Sequence, residues 1–210
     1  MLVKICGIKT VHAAQVVTEA GADFIGFVFA DSKRKVTPEL AAIIAKTLPS
    51  TIKKVGVFVN ESVENMIAIA KQVGLDYIQL HGDEEAIIAE QLPYPIIKAF
   101  SANQLNGIHS YPCDFYLIDS PKGKYRGGTG KTFNWDVIRE LDIDPDKVIL
   151  AGGLSPENIK DAIYIVQPAG VDVSSGVETN NEKDDKKIIQ FVKNAKSKGK
   201  DESIDNIYHA

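Results

Sequence analysis

Residues 2–29 read LVKICGIKTVHAAQVVTEAGADFIGFVF, and this stretch decides the fold. Two short apolar runs, Leu2–Cys6 and Asp23–Phe29, have the length and composition of buried β-strands. The longer segment between them, Val11–Ala20, has a helical period, and Ala20-Gly21 is typical of a helix C-terminus. Because parallel strands need a crossover connection, the order strand, helix, strand predicts a parallel βαβ unit.

The same alternation continues along the chain and gives eight candidate strands and eight candidate helices. The strands are Leu2–Cys6, Asp23–Phe29, Lys53–Val59, Asp76–Leu80, Pro95–Phe100, Asp114–Asp119, Lys147–Ala151 and Gly170–Val173. The helices are Val11–Ala20, Pro38–Leu48, Val63–Val73, Glu84–Gln91, Gln104–Ser110, Trp135–Glu140, Pro156–Val166 and Lys183–Lys196. Strict alternation and the count of eight favour an α/β fold, a closed single-domain (β/α)8 TIM barrel, over an open eight-stranded sheet. A dinucleotide-binding fold is disfavoured, because no Gly-x-Gly-x-x-Gly follows the first strand.

The composition is that of a globular domain, with 44% hydrophobic and 25% charged residues among 210. We expect the barrel in residues 1–196 and a polar, frayed tail in residues 197–210. A net charge of −4 disfavours a nucleic-acid partner, and no apolar run approaches the roughly 20 residues of a membrane span. The N-terminal residues lack the pattern of a signal peptide, which predicts a cytoplasmic protein. The sequence leaves a monomer and a homodimer open. Two cysteines and four dispersed histidines indicate neither a disulfide framework nor a metal site.

The candidate functional residues follow the carboxyl ends of the predicted strands, the face on which barrel enzymes place their chemistry. Two of these loops are typical of phosphate binding, because glycines admit an anion to backbone N–H groups and a helix N-terminus adds a favourable dipole. Their candidate residues are Gly152, Gly153, Asp172, Ser174, Ser175 and Gly176. The alternative is a purely structural role, in which Gly152-Gly153 forms only a tight turn. Finding both loops, after strands seven and eight, favours a phosphate site in the βα7 and βα8 loops.

A third glycine-rich stretch, Lys122–Lys131, follows the sixth predicted strand and includes Gly128. It lacks the spacing of a P-loop, because the first required glycine would fall at Tyr125. Its length suggests a lid over the site, with a solvated loop as the alternative.

Cys6 and Asp119 are the reactive pair that we single out. Strand alternation puts Cys6 on the same face as Lys4, and Asp119 on the same face as Leu117. If both ends face the mouth of the barrel, a thiol and a carboxyl group flank one pocket. Two alternatives stay open: Cys6 as an ordinary core residue, and Asp119 as an ion-pair partner of Lys4.

Two further side chains are candidate binding residues. Arg34 follows the second strand, where a guanidinium group can grip a carboxylate through two hydrogen bonds, or can lie on a charged surface loop. His81 ends the fourth strand, where it can line the pocket or cap the next helix.

Several of these stretches, in this order, resemble the phosphoribosylanthranilate isomerase family of tryptophan biosynthesis. The matching segments are Val3-Lys-Ile-Cys-Gly-Ile8, Gly21-Ala-Asp-Phe-Ile-Gly-Phe-Val-Phe29, Ser32-Lys-Arg34, Val55-Gly-Val-Phe-Val-Asn60, Gln79-Leu-His-Gly82, Gly127-Gly-Thr-Gly-Lys-Thr-Phe133, Ala151-Gly-Gly-Leu154 and Val171-Asp-Val-Ser-Ser-Gly-Val-Glu178. The resemblance implies a (β/α)8 barrel that converts N-(5-phosphoribosyl)anthranilate into 1-(2-carboxyphenylamino)-1-deoxyribulose 5-phosphate. It implies no cofactor and no metal.

The resemblance also implies roles for individual residues. Cys6 matches the family's general base, Asp119 its general acid, and Arg34 the arginine that holds the anthranilate carboxylate. In such an Amadori rearrangement the acid protonates the ribose ring oxygen, and the base removes the proton from C2. We expect apolar burial to keep Asp119 protonated and positive potential to favour the Cys6 thiolate.

Three other functions compete with this interpretation. The histidine-pathway isomerase runs the same rearrangement with two aspartates, which the presence of Cys6 disfavours. Indole-glycerol-phosphate synthase would need catalytic lysine and glutamate residues at the strand ends and an extra N-terminal segment. A phosphate-binding barrel without catalysis would tolerate the loss of Cys6 and Asp119, and both are present.

Overall fold

Eight parallel strands close into a barrel in the computed structural model, which describes residues 1–120, 135–139 and 141–197. The barrel strands are β1 (Leu2–Cys6), β2 (Phe24–Val28), β3 (Lys53–Phe58), β4 (Tyr77–Leu80), β5 (Ile96–Ser101), β6 (Phe115–Asp119), β7 (Val148–Leu150) and β8 (Gly170–Val173). Each strand pairs with the next, and β1 closes the circle by pairing with β8. The prediction of a closed barrel is therefore confirmed.

Seven α-helices occur among the described residues. They are α1 (Val11–Glu19), α2 (Pro38–Ala45), α3 (Val63–Val73), α4 (Ala86–Glu90), α5 (Asp136–Arg139), α6 (Ile159–Val166) and α7 (Asp185–Lys196). The ends of α3 follow the sequence signals: Ser62 accepts a hydrogen bond from the Asn65 N–H, and Gly74 adopts the left-handed conformation. The fifth predicted helix, Gln104–Ser110, is wrong, since only a single 3-10 turn over Ile108–Ser110 forms there.

The inward and outward faces of the strands build two separate cores. Outward side chains pack under the helices, as Ile5, Phe27 and Ile118 do. Inward side chains such as Phe24 and Leu117 fill the barrel itself. The same inward-facing rows end in polar side chains at the carboxyl ends of the strands. These polar groups therefore lie directly above the packed apolar side chains of the barrel interior.

A short hairpin follows the eighth strand and was not expected from the sequence. After a 3-10 turn at Ser175–Val177, strands β9 (Glu178–Thr179) and β10 (Glu182–Lys183) pair antiparallel. The last helix therefore begins at Asp185, with Asp184 as its N-cap, rather than at Lys183. The hairpin places the Glu178 backbone directly opposite Lys183.

Some of the predictions fall on residues outside the described ranges. These are the candidate binding residue Gly128, the lid proposed for Lys122–Lys131, and the tail beyond Ser197. Within the described residues, none of the helices has the length and apolar character needed to cross a bilayer.

Candidate active site

The carboxyl end of β6 presents Asp119 beside His81, which directly follows β4. The Asp119 carboxyl lies 3.6 Å from the His81 Nε2 and accepts a 2.7 Å hydrogen bond from the Ser120 N–H. Burial raises the pKa of Asp119, and the His81 charge and the Ser120 hydrogen bonds only partly oppose that rise. A carboxyl group that holds its proton more strongly than usual is suited to act as a general acid.

The barrel interior orients His81 from below. The Gln79 Nε2 lies 2.9 Å from the His81 Nδ1, two residues back along the same inward row. In the neutral form of the imidazole, with the amide nitrogen donating to Nδ1, the ring proton sits on Nε2, the atom that faces Asp119; in the charged form both ring nitrogens carry a proton. His81 therefore lines the site, and the helix α4 takes Glu85 as its N-cap instead.

A cavity of about 440 Å³ opens beside this pair. Its walls come from the loops after β4, β5 and β6, and Asp119, Ser120 and His81 all line it. Cys6 and Arg34 are not among its lining residues.

Cys6 ends β1 at the same mouth and is buried, with 8% of its surface exposed. Burial raises the pKa of the Cys6 thiol, and the positive charges of Lys4 and Lys183 lower it by less. The positive potential of the two lysines favours the thiolate, as expected. The cationic groups are present, but they do not overcome the cost of desolvating the sulfur.

Lys4 pairs with Asp172 rather than with Asp119. Its Nζ lies 2.8 Å from the Asp172 Oδ1 across the β1–β8 pairing, and Lys4 is 1% exposed. Burial alone would lower the pKa of Lys4, but the charges and hydrogen bonds of Asp172 and Cys6 raise it overall. This geometry removes the alternative in which Asp119 is the ion-pair partner of Lys4. It also puts Asp172 inside the barrel, where its negative charge raises the pKa of both Cys6 and Asp119.

Arg34 is held by a residue that the sequence did not single out. Its Nε and Nη2 donate to the Glu178 Oε1 and Oε2, both at 2.7 Å. The alkyl chain of Arg34 lies across Gly7, where a Cβ would come within 2.6 Å of the Arg34 Cδ. Arg34 is thus fixed next to the end of β1 instead of lying on an open surface loop.

The two predicted phosphate loops pack against each other. Gly152 and Gly153 both have positive φ, at +83° and +66°. A Cβ on Gly176 would collide with the Leu154 carbonyl oxygen, so only a glycine permits the two loops to approach. A Cβ on Gly152 would meet Asp119 and Ser120, which ties the first loop to the proposed acid.

The Ser174 hydroxyl turns toward β1. Its Oγ donates to the Cys6 carbonyl at 3.1 Å, and the Lys183 Nζ donates to the Ser174 carbonyl at 2.9 Å. Ser175 begins the 3-10 turn that carries Gly176. The loop after β8 is therefore connected both to the candidate base and to the Glu178 hairpin.

Sequence reasoning missed Gln79, Glu178 and Lys183. Glu178 and Gln79 lie within motifs already quoted, but nothing in one sequence assigns to Glu178 a partner 144 residues away. Lys183 was assigned to a helix, and only the hairpin turns it inward. Among the described residues, no group of three or more His, Cys, Asp or Glu side chains could hold a metal ion.

The fold and this mouth define a class of protein: a (β/α)8 barrel with a carboxyl group, a buried thiol and an arginine at the carboxyl ends of its strands. A family model described as N-(5'phosphoribosyl)anthranilate (PRA) isomerase matches residues 3–194. The chain belongs to this family.

Relatives found by sequence and by structure belong to the same family. The N-(5'-phosphoribosyl)anthranilate isomerase of Oceanobacillus iheyensis is 54% identical over 201 residues, which cover 94% of this chain and 98% of that protein. The crystal structure of phosphoribosyl anthranilate isomerase from Thermotoga maritima is 40% identical, with a TM-score of 0.86, over 93% of this chain and 99% of that one. A structure of the isomerase in complex with reduced 1-(o-carboxyphenylamino)-1-deoxyribulose 5-phosphate is 37% identical, with a TM-score of 0.82, over 93% and 98% of the two chains.

Proposed function

We propose that Asp119 and Cys6 are the general acid and the general base with which this chain isomerises N-(5'-phosphoribosyl)anthranilate. The reaction class follows from membership of the PRA isomerase family, and it is an enzymatic step of tryptophan biosynthesis. The assignment of Asp119 as the acid is supported above all by one observation. Asp119, at the barrel mouth, has a pKa raised by burial, and its neighbour His81 faces it from 3.6 Å.

The rearrangement uses the two groups in turn. Protonated Asp119 delivers its proton to the ribose ring oxygen, the C1–O bond breaks, and the nitrogen lone pair forms a Schiff base at C1. The Cys6 thiolate then removes the proton from C2, and the electron pair moves to give an enolamine. Protonation at C1 and loss of the hydroxyl proton at C2 give the ketone. Each general acid or base of this kind contributes about 10²–10⁴-fold to the rate.

The remaining residues hold the two ends of the substrate. Arg34 binds the anthranilate carboxylate, and His81 lines the reacting centre. The phosphate lies at the βα7 and βα8 loops, with Gly152, Gly153, Ser174, Ser175 and Gly176 around it. Asp172 lies inside the barrel, where it pairs with Lys4 and its charge raises the pKa of Cys6. Gly128 is proposed on the family resemblance.

The protein's wider context is also proposed. We infer a small phosphorylated substrate as the partner, no nucleic acid, a cytoplasmic location, and a monomer or homodimer. The net charge of −4 supports the absence of a nucleic-acid partner. Sedimentation at several protein concentrations separates a monomer from a homodimer.

Turnover of phosphoribosylanthranilate tests the proposal. The substrate is generated in place from anthranilate and phosphoribosyl pyrophosphate, and its fluorescence is followed with a metal chelator present. We expect rapid loss of fluorescence with the wild type, and a loss of kcat by about 10²–10⁴-fold in each of Cys6→Ala and Asp119→Asn. Both variants should still bind reduced 1-(o-carboxyphenylamino)-1-deoxyribulose 5-phosphate. Unchanged turnover in both variants would remove the mechanism.

A further inference from the structure

A charged cluster outside the proposed acid–base pair links Arg34 to the hairpin after β8. It consists of Arg34, Glu178 and Lys183, and neither Glu178 nor Lys183 has a role in the chemistry described above. The Glu178 carboxylate accepts the Arg34 Nε and Nη2 and, on Oε1, also the Lys183 Nζ at 2.7 Å. The Glu178 and Lys183 side chains are 7% and 6% exposed.

The hydrogen bonds to Glu178 occupy one edge of the guanidinium group. A guanidinium presents a side edge, formed by Nε–H and one Nη2–H, and an end edge, formed by Nη1–H and the other Nη2–H. Glu178 takes the side edge. Among the described residues no carboxylate takes the end edge, which has the geometry for a second bidentate carboxylate.

The charges of the cluster leave room for one more anion. Arg34 and Lys183 carry two positive charges against the single negative charge of Glu178. Burial alone would raise the pKa of Glu178, but the hydrogen bonds from Arg34 and Lys183 lower it overall, so Glu178 is ionised at neutral pH. While Cys6 is protonated, a substrate carboxylate at the end edge therefore brings the net charge of the cluster to zero.

Glu178 is itself firmly anchored. Its backbone pairs with Lys183 in the hairpin, and its carbonyl accepts the Lys187 Nζ at 2.8 Å. Lys183 in turn donates to the Ser174 carbonyl. These contacts hold the Glu178 carboxylate in place, and Glu178 in turn holds Arg34. Through Lys183 they also connect Glu178 with the loop after β8, whose Ser174 hydroxyl donates to the Cys6 carbonyl.

We propose that Glu178 is a positioning residue, which holds the Arg34 guanidinium so that its end edge receives the carboxylate of the substrate. This inference rests on the proposed function, since it takes Arg34 as the carboxylate anchor. Lys183 supports the arrangement by neutralising Glu178 and by binding it to the end of β8. If Glu178 instead competed with the substrate carboxylate for Arg34, removing Glu178 would lower KM for phosphoribosylanthranilate.

The test compares Glu178→Gln and Glu178→Ala with the wild type on two substrates. One is phosphoribosylanthranilate, and the other is the phosphoribosyl adduct of aniline, which lacks the carboxylate. We expect KM for the first substrate to rise by about 10–100-fold in Glu178→Ala, and by less in Glu178→Gln, with a smaller change in kcat. The two variants should match the wild type on the aniline adduct, because that substrate does not use Arg34.

Glu182→Gln is the matched control, because Glu182 lies exposed on the same hairpin. It should leave KM for both substrates unchanged. A lower KM for phosphoribosylanthranilate in Glu178→Ala, or an equal loss on both substrates, would overturn the inference. No turnover by the wild type would instead refute the proposed function, so the two failures are distinguishable.

Discussion

Asp119 and Cys6 share an unusual electrostatic setting at the level of single residues. Burial raises the pKa of each, and neither has a neighbour that restores its ordinary value. In the proposed mechanism Asp119 carries a proton while Cys6 is charged, so the active form holds one proton between the two groups. Below the pKa of Asp119 both groups are protonated, and above the pKa of Cys6 neither is. We therefore expect kcat/KM to rise with pH through the first pKa and to fall through the second.

The charge of His81 affects the acidic limb of this pH profile, which reports the pKa of Asp119. The His81 charge lowers the pKa of Asp119, so replacing His81 with a neutral residue should raise that pKa further. In His81→Gln the acidic limb of kcat/KM should move to higher pH, while the basic limb, which reports Cys6, stays in place. The measurement is a pH profile of kcat/KM for both proteins. An acidic limb that does not move, or that moves to lower pH, would contradict this role.

Lys4 and Asp172 form a buried ion pair, and breaking it leaves a charge without a partner. Lys4→Met should lower the free energy of unfolding by about 3–5 kcal/mol, because the Asp172 carboxylate stays buried. The double variant Lys4→Met/Asp172→Leu should lose less than the sum of the single losses, since it removes the orphaned charge. Urea denaturation measures both. Strictly additive losses would show that the pair is not coupled.

At the level of elements, the barrel strands and most helices were predicted well, and the short segment Gln104–Ser110 was not. Helix α3 ends where Gly74 stops it, because local capping decides that boundary. The segment Gln104–Ser110 has a helical pattern over too few residues, and only a single 3-10 turn forms. The β9–β10 hairpin has two residues in each strand, and the hydrogen bonds of Glu178 to Arg34 and Lys187 help to hold it. Such long-range contacts leave no local pattern in a sequence.

The contact between the two glycine loops gives a prediction at the same scale. Gly176→Ala should force the βα8 loop away from the Leu154 carbonyl, which disturbs the proposed phosphate site. We expect KM for phosphoribosylanthranilate to rise by about tenfold or more, together with weaker inhibition by inorganic phosphate. Gly21→Ala is a control for strain away from the site, because a Cβ there meets no atom within 4 Å and only the φ of +84° opposes it. An equal effect of both substitutions on phosphate inhibition would count against the phosphate site.

The whole molecule determines which candidate residues meet. Strand alternation predicts that Cys6 and Asp119 face inward, but only closure between β1 and β8 brings Lys4 to Asp172. The barrel, its mouth and the positions of Cys6 and Asp119 at that mouth were therefore accessible from the sequence. The partners of Lys4 and Arg34 were not, because each pairing joins residues more than 140 positions apart.

In the proposed mechanism Asp119 opens the sugar ring and Cys6 removes the C2 proton. The most direct measurement is the kinetic isotope effect on kcat for substrate carrying deuterium at C2 of the ribose. Cys6→Ser weakens the base, so the account predicts a larger isotope effect than in the wild type. Asp119→Asn slows ring opening instead, and its isotope effect should fall toward unity. An enlarged effect in Asp119→Asn together with a suppressed effect in Cys6→Ser would reverse the two roles and contradict the account.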